Sequence, residues 1–297
     1  MNLDGALFDR QWAVTIGLPG QEGSKYVDIR VTFEIEKTSD AAPNKGKVEI
    51  YNLSSDSIKK FQKGMQLRLD AGYKNLIETL YIGDIVKSYT KRNQQEVVTT
   101  FEVGDSERQL INAHYDRSYG AGTSNIDVLQ DLAKALGVSI GPVIGLTKVV
   151  YNSGVSFSGS VRRALEKMTK GLNLEFSVQN GVLQIIPLTA HNGDEAIVLS
   201  QSTGLTGIPS QGDGFVQFAC LLNPKIHPGV PIQIISETPF IGASGKPVNS
   251  GFFKVRKAKI EGDTHGDKWG IQGEAVPINA RQIQPMNKGT NFSTAVG

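Results

Sequence analysis

From Trp12 to Val103 the apolar positions recur every second residue in short runs rich in Val, Ile, Tyr, Phe and Thr, and Gly, Asn, Asp and Pro separate the runs. A period of two belongs to a strand with one buried and one solvated face. Val27 to Ile35 and Lys47 to Tyr51 alternate in this way, and Ala42-Pro43-Asn44-Lys45-Gly46 supplies the turn between them. Gln66 to Tyr73, Leu80 to Val86 and Val97 to Val103 continue the series, with Lys91-Arg92-Asn93-Gln94 as a hairpin tip. The one interruption is Ser55 to Lys63. Ser55 as cap, Ile58 and Phe61 on one face and Gly64 as terminator predict a short helix there.

The period then changes. Ser124 precedes Ile126, Leu129, Leu132, Ala133 and Leu136 at helical spacing, and Gly137 stops the run. A second helix is capped by Ser158 or Ser160, turns Val161, Leu165 and Met168 inward and closes at Gly171. Asn173 to Val178 and Val182 to Pro187 flank Gln179-Asn180-Gly181, and an Asn-Gly pair between alternating runs is a strong hairpin signal. Strand patterning resumes at Ala196, with turns at Thr203 to Gly214 and Asn223 to Gly229 and a hairpin around Glu261 to Asp267. The expected fold is mainly β with a small α/β insert: two similar β-barrel modules flank a middle domain of two helices and a hairpin. The expected division is 1–110 for the first module, 111–190 for the insert, 191–284 for the second module, and 285–297 for a flexible tail poor in large apolar residues.

The two β regions share an order of features. Gly64-Met65-Gln66-Leu67-Arg68-Leu69 parallels Gly229-Val230-Pro231-Ile232-Gln233-Ile234, 165 positions on, and each follows a loop with Asn beside Leu, Asn52-Leu53 and Leu222-Asn223. Gly83 to Ser88 parallels Gly251 to Arg256, 168 positions on. Two matches in one order at nearly one offset point to duplication. Three chains of two similar modules place six modules around an axis, which lets a threefold object meet a sixfold one.

Composition narrows the function more than it names it. The net charge is +2, and the three regions carry 16, 5 and 8 acidic against 15, 7 and 9 basic residues, so no basic pole suggests nucleic-acid binding. The single Cys220 has no partner within the chain, and Met1 to Gly5 lacks the charged and apolar regions of a signal peptide, which fits folding in a reducing cytoplasm. No apolar stretch approaches the roughly 20 residues of a membrane-spanning helix, so direct membrane insertion is not expected.

No catalytic, cofactor or metal constellation emerges. His114, His191, His227 and His265 are scattered, and each is expected at a turn or surface. Cys220, in the apolar run Phe218 to Leu222, reads as a buried inert thiol. Gly242 to Pro247 is too short for a phosphate loop and has Pro247 where Ser or Thr belongs, and Gly154 to Gly159 misses the nucleophile-elbow spacing. Asp84 with Glu102 and Asp263 with Asp267 are the carboxylate pairs a glycosidase would need, and nothing in sequence sets either across a groove. The densest basic run, Lys254-Val255-Arg256-Lys257-Ala258-Lys259, is expected to be a strand with both faces wet, or else a lumen or interface strip touching DNA weakly.

Three stretches resemble the central baseplate hub proteins of contractile-tailed phages, which are related to the base of the type VI secretion spike. They are Phe33 to Thr38 with Pro43-Asn44 and Ile50 to Ser54; Gly64 to Tyr73 with Tyr81 to Ile85; and Leu221 to Gly229. The resemblance covers most of residues 10–280 and rests on turn and strand residues. It implies tail-tube-like barrels in a homotrimer that joins the sixfold tail tube protein to a threefold central spike protein and lines the channel for DNA exit. Baseplate wedge and tape measure proteins are further implied partners, DNA passes without specific binding, no cofactor is involved, and the chain is not an enzyme. Interface candidates are Asn52, Leu53, Ser54, Asn223, Pro224 and His227 on the loops, Lys254 and Arg256 on the basic run, and the tail after Pro285. The alternatives are a β-rich carbohydrate or cell-surface binding module, which needs clustered exposed aromatics, and a lytic hydrolase.

Overall fold

The computed structural model describes residues 9–278 apart from 75, 94, 105–113, 243 and 244. The tail expected at 285–297 and the boundaries expected at 110 and 284 lie outside the described residues.

The first β region contains β1 (Arg10–Gly17), β2 (Ser24–Tyr26), β3 (Val31–Thr38), β4 (Lys45–Tyr51), α1 (Ser55–Lys60), β5 (Gln66–Tyr73), β6 (Leu76–Asn93) and β7 (Glu96–Gly104). The insert contains β8 (Arg117–Tyr119), α2 (Asn125–Leu136), β9 (Ser139–Val143), β10 (Val155–Phe157), α3 (Val161–Thr169), β11 (Leu174–Gln179) and β12 (Val182–Pro187). The last region contains β13 (Ile197–Leu199), β14 (Ser210–Gln211), β15 (Val216–Leu221), β16 (Pro231–Ile241), β17 (Pro247–Asp263) and β18 (Trp269–Pro277). The fold is mainly β with an α/β insert, as the patterning predicts.

Both β regions belong to one sheet, ordered β14-β15-β18-β17-β3-β4-β7-β6-β5-β1-β2, with β16 on β17 and β13 on β16. Among the described residues this path is open at its ends. The joint is β17: Pro247–Lys254 pairs with β16, and Lys257–Asp263 pairs with β3. The two regions accordingly share one apolar core, in which Phe33, Ile35, Tyr81 and Phe101 meet Phe218, Phe253, Ile260 and Trp269. Phe33 and Trp269 stack edge to face at 5.4 Å across the joint.

Duplication is visible in the ladders. The run β5-β6-β7-β4-β3 is repeated as β16-β17-β18-β15-β14, each neighbour antiparallel. Gly64 donates its N–H to Ile85 O and Ile85 donates to Met65 O; Gly229 donates to Val255 O and Val255 donates to Val230 O. A bulge follows each time, between Ile85 and Lys87 and between Val255 and Lys257. Ile85 is therefore the counterpart of Val255, 170 positions on, which corrects the 168 read from the glycines. A two-residue slip leaves every side chain on its own face, so alternation cannot detect it.

The insert has its own core, built from Leu129, Leu132, Leu136, Val161, Leu165, Phe176 and Ile185. Ser124 and Ser160 cap α2 and α3, and Asn180 and Gly181 take the positive φ of 51° and 78° that a primed hairpin turn requires. Two local expectations are corrected. Ser54, not Ser55, caps α1, and the helix ends at Lys60 because Phe61 turns extended to pack on Phe101 at 4.9 Å. Residues 27–30 are not strand: Asp28 adopts φ 56°, and Ile29 O accepts the Trp12 indole N–H instead.

Candidate functional site

The solvated face of the joined sheet carries charges of both signs in register. Alternation puts Lys87 of β6, Glu102 of β7, Lys47 of β4 and Glu34 of β3 directly opposite one another, strand by strand. Lys259 of β17 reaches Glu34 across the joint at 2.7 Å and Glu261 of its own strand at 3.1 Å. Those hydrogen bonds, Glu34 first, raise the Lys259 ammonium above its ordinary value. Lys257 meets Glu274 at 3.5 Å and Lys87 meets Glu102 at 4.0 Å. These are the same pair in the two halves, each lysine lying just past the equivalent bulge. Opposite charges on facing strands stabilise each other modestly, and they leave the face near neutral. A shallow groove of about 780 Å³ runs along this face between Lys45, Lys259 and Ile208.

A second cleft, about 850 Å³, lies where the insert meets the last β region, and Lys254 and Arg256 line it. The expectation that the basic run is wet on both faces is overturned here. Lys254 is 1% exposed, and its ammonium donates to Glu175 Oε1 at 2.7 Å and to the carbonyls of Pro187 and Leu188 at 3.0 and 2.8 Å. Burial lowers its pKa, and Glu175 opposes the shift. Val255 and Ala258 are also buried, so the run has one core face. Arg256 reaches Asp40 at 3.4 Å and stays partly exposed. Nearby, the Asn44 amide donates to Val178 O and Gln179 Oε1, and Lys37 donates to Asn180 Oδ1. The insert hairpin is thus held by polar contacts from both β regions.

The loop candidates divide by burial. Asn52 is exposed, adopts φ 56°, and clips Val97 with its backbone N–H and side-chain oxygen; Ser54 is exposed and caps α1. Leu53 joins the core, while Asn223 and Pro224 are buried, with Asn223 Oδ1 accepting from Lys225 N–H at 3.0 Å. His227 lies in the turn loop before Gly229 and is half-buried, its Nδ1 3.2 Å from Pro228 O, and burial lowers its pKa ahead of Lys37. The structure brings Lys254 and Arg256 to one cleft. Asn52 and Leu222 hold equivalent places, because each follows the equivalent strand of its half, β4 and β15, with an N–H bond to the next strand, to Val97 O and Trp269 O respectively.

The remaining chemistry is internal. Cys220 is 3% exposed and its thiol is pushed up to about 12 by burial, unlike a reactive cysteine. Asp263 binds Arg30 at 3.0 Å. Trp12 and Trp269, which a glycan platform would present outward, are spent on Ile29 and Phe33. Among the described residues no group of three or more His, Cys, Asp or Glu is placed to hold a metal ion, and no helix is long and apolar enough to cross a membrane.

The duplicated, joined sheet with one inserted α/β unit matches solved structures over nearly the whole chain. The fold is that of phage tail proteins. The chain superposes on the tail protein of Neisseria meningitidis MC58 with a TM-score of 0.62 at 9% identity, covering 93% of this chain and 98% of that one. The 43 kDa tail protein of prophage MuSo2 from Shewanella oneidensis gives 0.60 at 11% identity, with 91% and 98% covered. An E. coli component of the type VI secretion system, described as structurally similar to the T4 tail proteins gp27 and gp5, gives 0.60 at 11% identity, with 90% and 77% covered. No protein-family model and no curated protein sequence matches the chain, so the likeness is carried by structure.

Proposed function

We propose that the chain is a structural hub at the centre of a phage tail baseplate, a trimeric adaptor between the sixfold tail tube and the threefold central spike. The observation that carries this reading is the internal duplication on one continuous sheet. Two equivalent β units per chain give six around a threefold axis, so a trimer presents quasi-sixfold symmetry to a tube and true threefold symmetry to a spike. The tail-protein fold of the neighbours supports a structural rather than catalytic role.

The face of alternating Lys and Glu suits a channel lining. DNA is retained by unneutralised Lys and Arg, which release its counterions. Here Lys87, Lys257 and Lys259 are already opposed by Glu102, Glu274 and Glu34. DNA passing such a wall meets little net attraction, in keeping with exit without specific binding. In this reading wedge and tape measure proteins contact the outer surface and the tube end, and assembly into the virion follows folding in the host cytoplasm.

Co-expression with the tail tube protein and the spike protein of the same tail tests the proposal. A complex containing either partner, stable through size-exclusion chromatography, supports it. A chain that elutes alone from both partners would sink it.

A further inference from the structure

The insert carries its charge differently from the sheet. On the sheet Lys87, Lys257 and Lys259 are each opposed by a glutamate. On α3, Arg163, Lys167 and Lys170 follow one another at helical spacing along one ridge, and all three are exposed. Among the described residues none of the three has an ion-pair partner, and the Lys167 ammonium rests on the Phe157 ring at 5.0 Å instead. The first turn of α3 holds no acid, where the helix dipole favours one, and Arg163 stands there. Its charge does not serve the helix.

The ridge ends at the cleft of about 850 Å³ between the insert and the last β region, which Lys170 lines. The acids that line this cleft are already taken: Asp40 by Arg256 at 3.4 Å, Glu166 by Arg162 at 2.9 Å and Glu175 by Lys254 at 2.7 Å. What is left without a counter-charge is positive. The same cleft has an apolar side, formed by Leu174, Val276, Pro277 and Leu188. Leu188 is 48% exposed and Leu172 is 51% exposed. Leu188 N–H donates to Asn173 O, which sets both leucines at the open end of the β11·β12 hairpin. Exposed leucines beside unopposed bases mark a contact surface rather than a solvated one.

We infer that the α3 ridge and this cleft are a docking surface for a segment of another protein, one in which carboxylates precede a large apolar residue. The carboxylates meet Arg163, Lys167 and Lys170, and the apolar residue enters the cleft against Leu188. Charge complementarity selects this occupant. Residues 279–297 of the chain itself contain Arg281 and Lys288 and no acid, so the ridge repels them. Nucleic acid would answer the bases with phosphates, but backbone contacts leave the leucines uncovered. The inference goes beyond the adaptor reading, makes no use of the duplication, and gives the insert a role of its own.

The test is fluorescence anisotropy of a short fluorescein-labelled peptide, a run of glutamates followed by a pair of leucines, titrated with the full chain. A peptide with serines for the leucines and a short duplex DNA are run beside it. The first peptide is expected to bind saturably and more weakly as salt rises. The Arg163→Glu, Lys170→Glu double variant should weaken that binding about tenfold, and Leu188→Ser should remove the advantage over the serine peptide. All of these positions are exposed, and circular dichroism of each variant confirms folding. No saturable binding to the wild type, or binding that neither variant changes, overturns the inference. Duplex DNA that binds through the same residues while the peptide does not overturns it in favour of a nucleic-acid surface. A double variant whose mass by light scattering falls below that of the wild type, with no peptide present, shows that a second copy covers the cleft and also overturns it. Failure of the peptide to bind leaves the adaptor reading standing, because that reading is tested on the tube and spike proteins.

Discussion

Lys254 and Glu175, 79 positions apart in the chain, meet at 2.7 Å with the lysine 1% exposed, and their contact ties the insert to the last β region. A buried ammonium is tolerated because three acceptors surround it, one of them charged. Removing one partner strands the other.

Lys254→Ala is therefore expected to destabilise the chain by about 3–5 kcal/mol, the range for breaking a buried pair. Lys254→Met with Glu175→Leu should recover most of that loss, since an apolar pair removes the desolvation cost. Urea unfolding of the wild type, both single variants and the double variant measures this. Equal losses in single and double variants would show that the two residues do not act as a pair.

Acid should weaken the joint between the two β regions through Asp263. Burial pulls its pKa upward, but the Arg30 guanidinium and the backbone N–H groups of His265 and Gly266 outweigh it and leave the carboxyl below its ordinary 3.8. A folded-state value below the unfolded one means the stabilisation is complete above the ordinary value and is lost as pH falls through the folded one. The thermal midpoint of the wild type should exceed that of Asp263→Asn at neutral pH, and the gap should shrink once the pH drops below 3.8. A gap that is constant with pH would contradict the assignment.

Much of this fold was legible because its signals are local. Ser124 and Ser160 sit beside the helices they cap, and Asn180-Gly181 encodes its own turn. The exposed runs of β3 and β4 alternate as a two-faced sheet must. Lys254 was not legible, because what buries it comes from Glu175 in another region, and a lysine in a basic run carries no local mark of its partner. The burial of Asn223 and half-burial of His227 left no local mark either, since a polar turn residue does not reveal what packs on it. The repeat was seen, yet its true offset had to come from Ile85 and Val255, whose backbone bonds leave no trace in side-chain type.

Ser124→Ala should cost about 1 kcal/mol, the usual value of an N-cap hydroxyl. Ser124 Oγ accepts from Asp127 N–H, and the Asp127 carboxylate accepts from Ser124 N–H, closing a capping box on α2. Ser54→Ala on the six-residue, exposed α1 should cost less. Denaturant midpoints compare the two, and the reverse order would contradict the assignment of α2 as the core helix of the insert.

Gly262→Val tests the packing at the joint. A Cβ at Gly262 would lie 2.1 Å from Cζ of Phe33, the ring that stacks on Trp269, so the ring must leave its place. Overpacking of this kind costs about 1–3 kcal/mol, and the Trp269 emission should shift as its neighbour moves. An unchanged spectrum with unchanged stability would mean that the aromatic contact does not hold the two regions together.

In the proposed trimer the two equivalent β units of each chain are counted three times. The most direct measurement is the solution mass of the 32.1 kDa chain by light scattering, across a range of protein and salt concentration, alone and with the spike protein. The account predicts a species of three chains, formed by the protein alone or on addition of the spike. A species that remains one chain in every condition contradicts it.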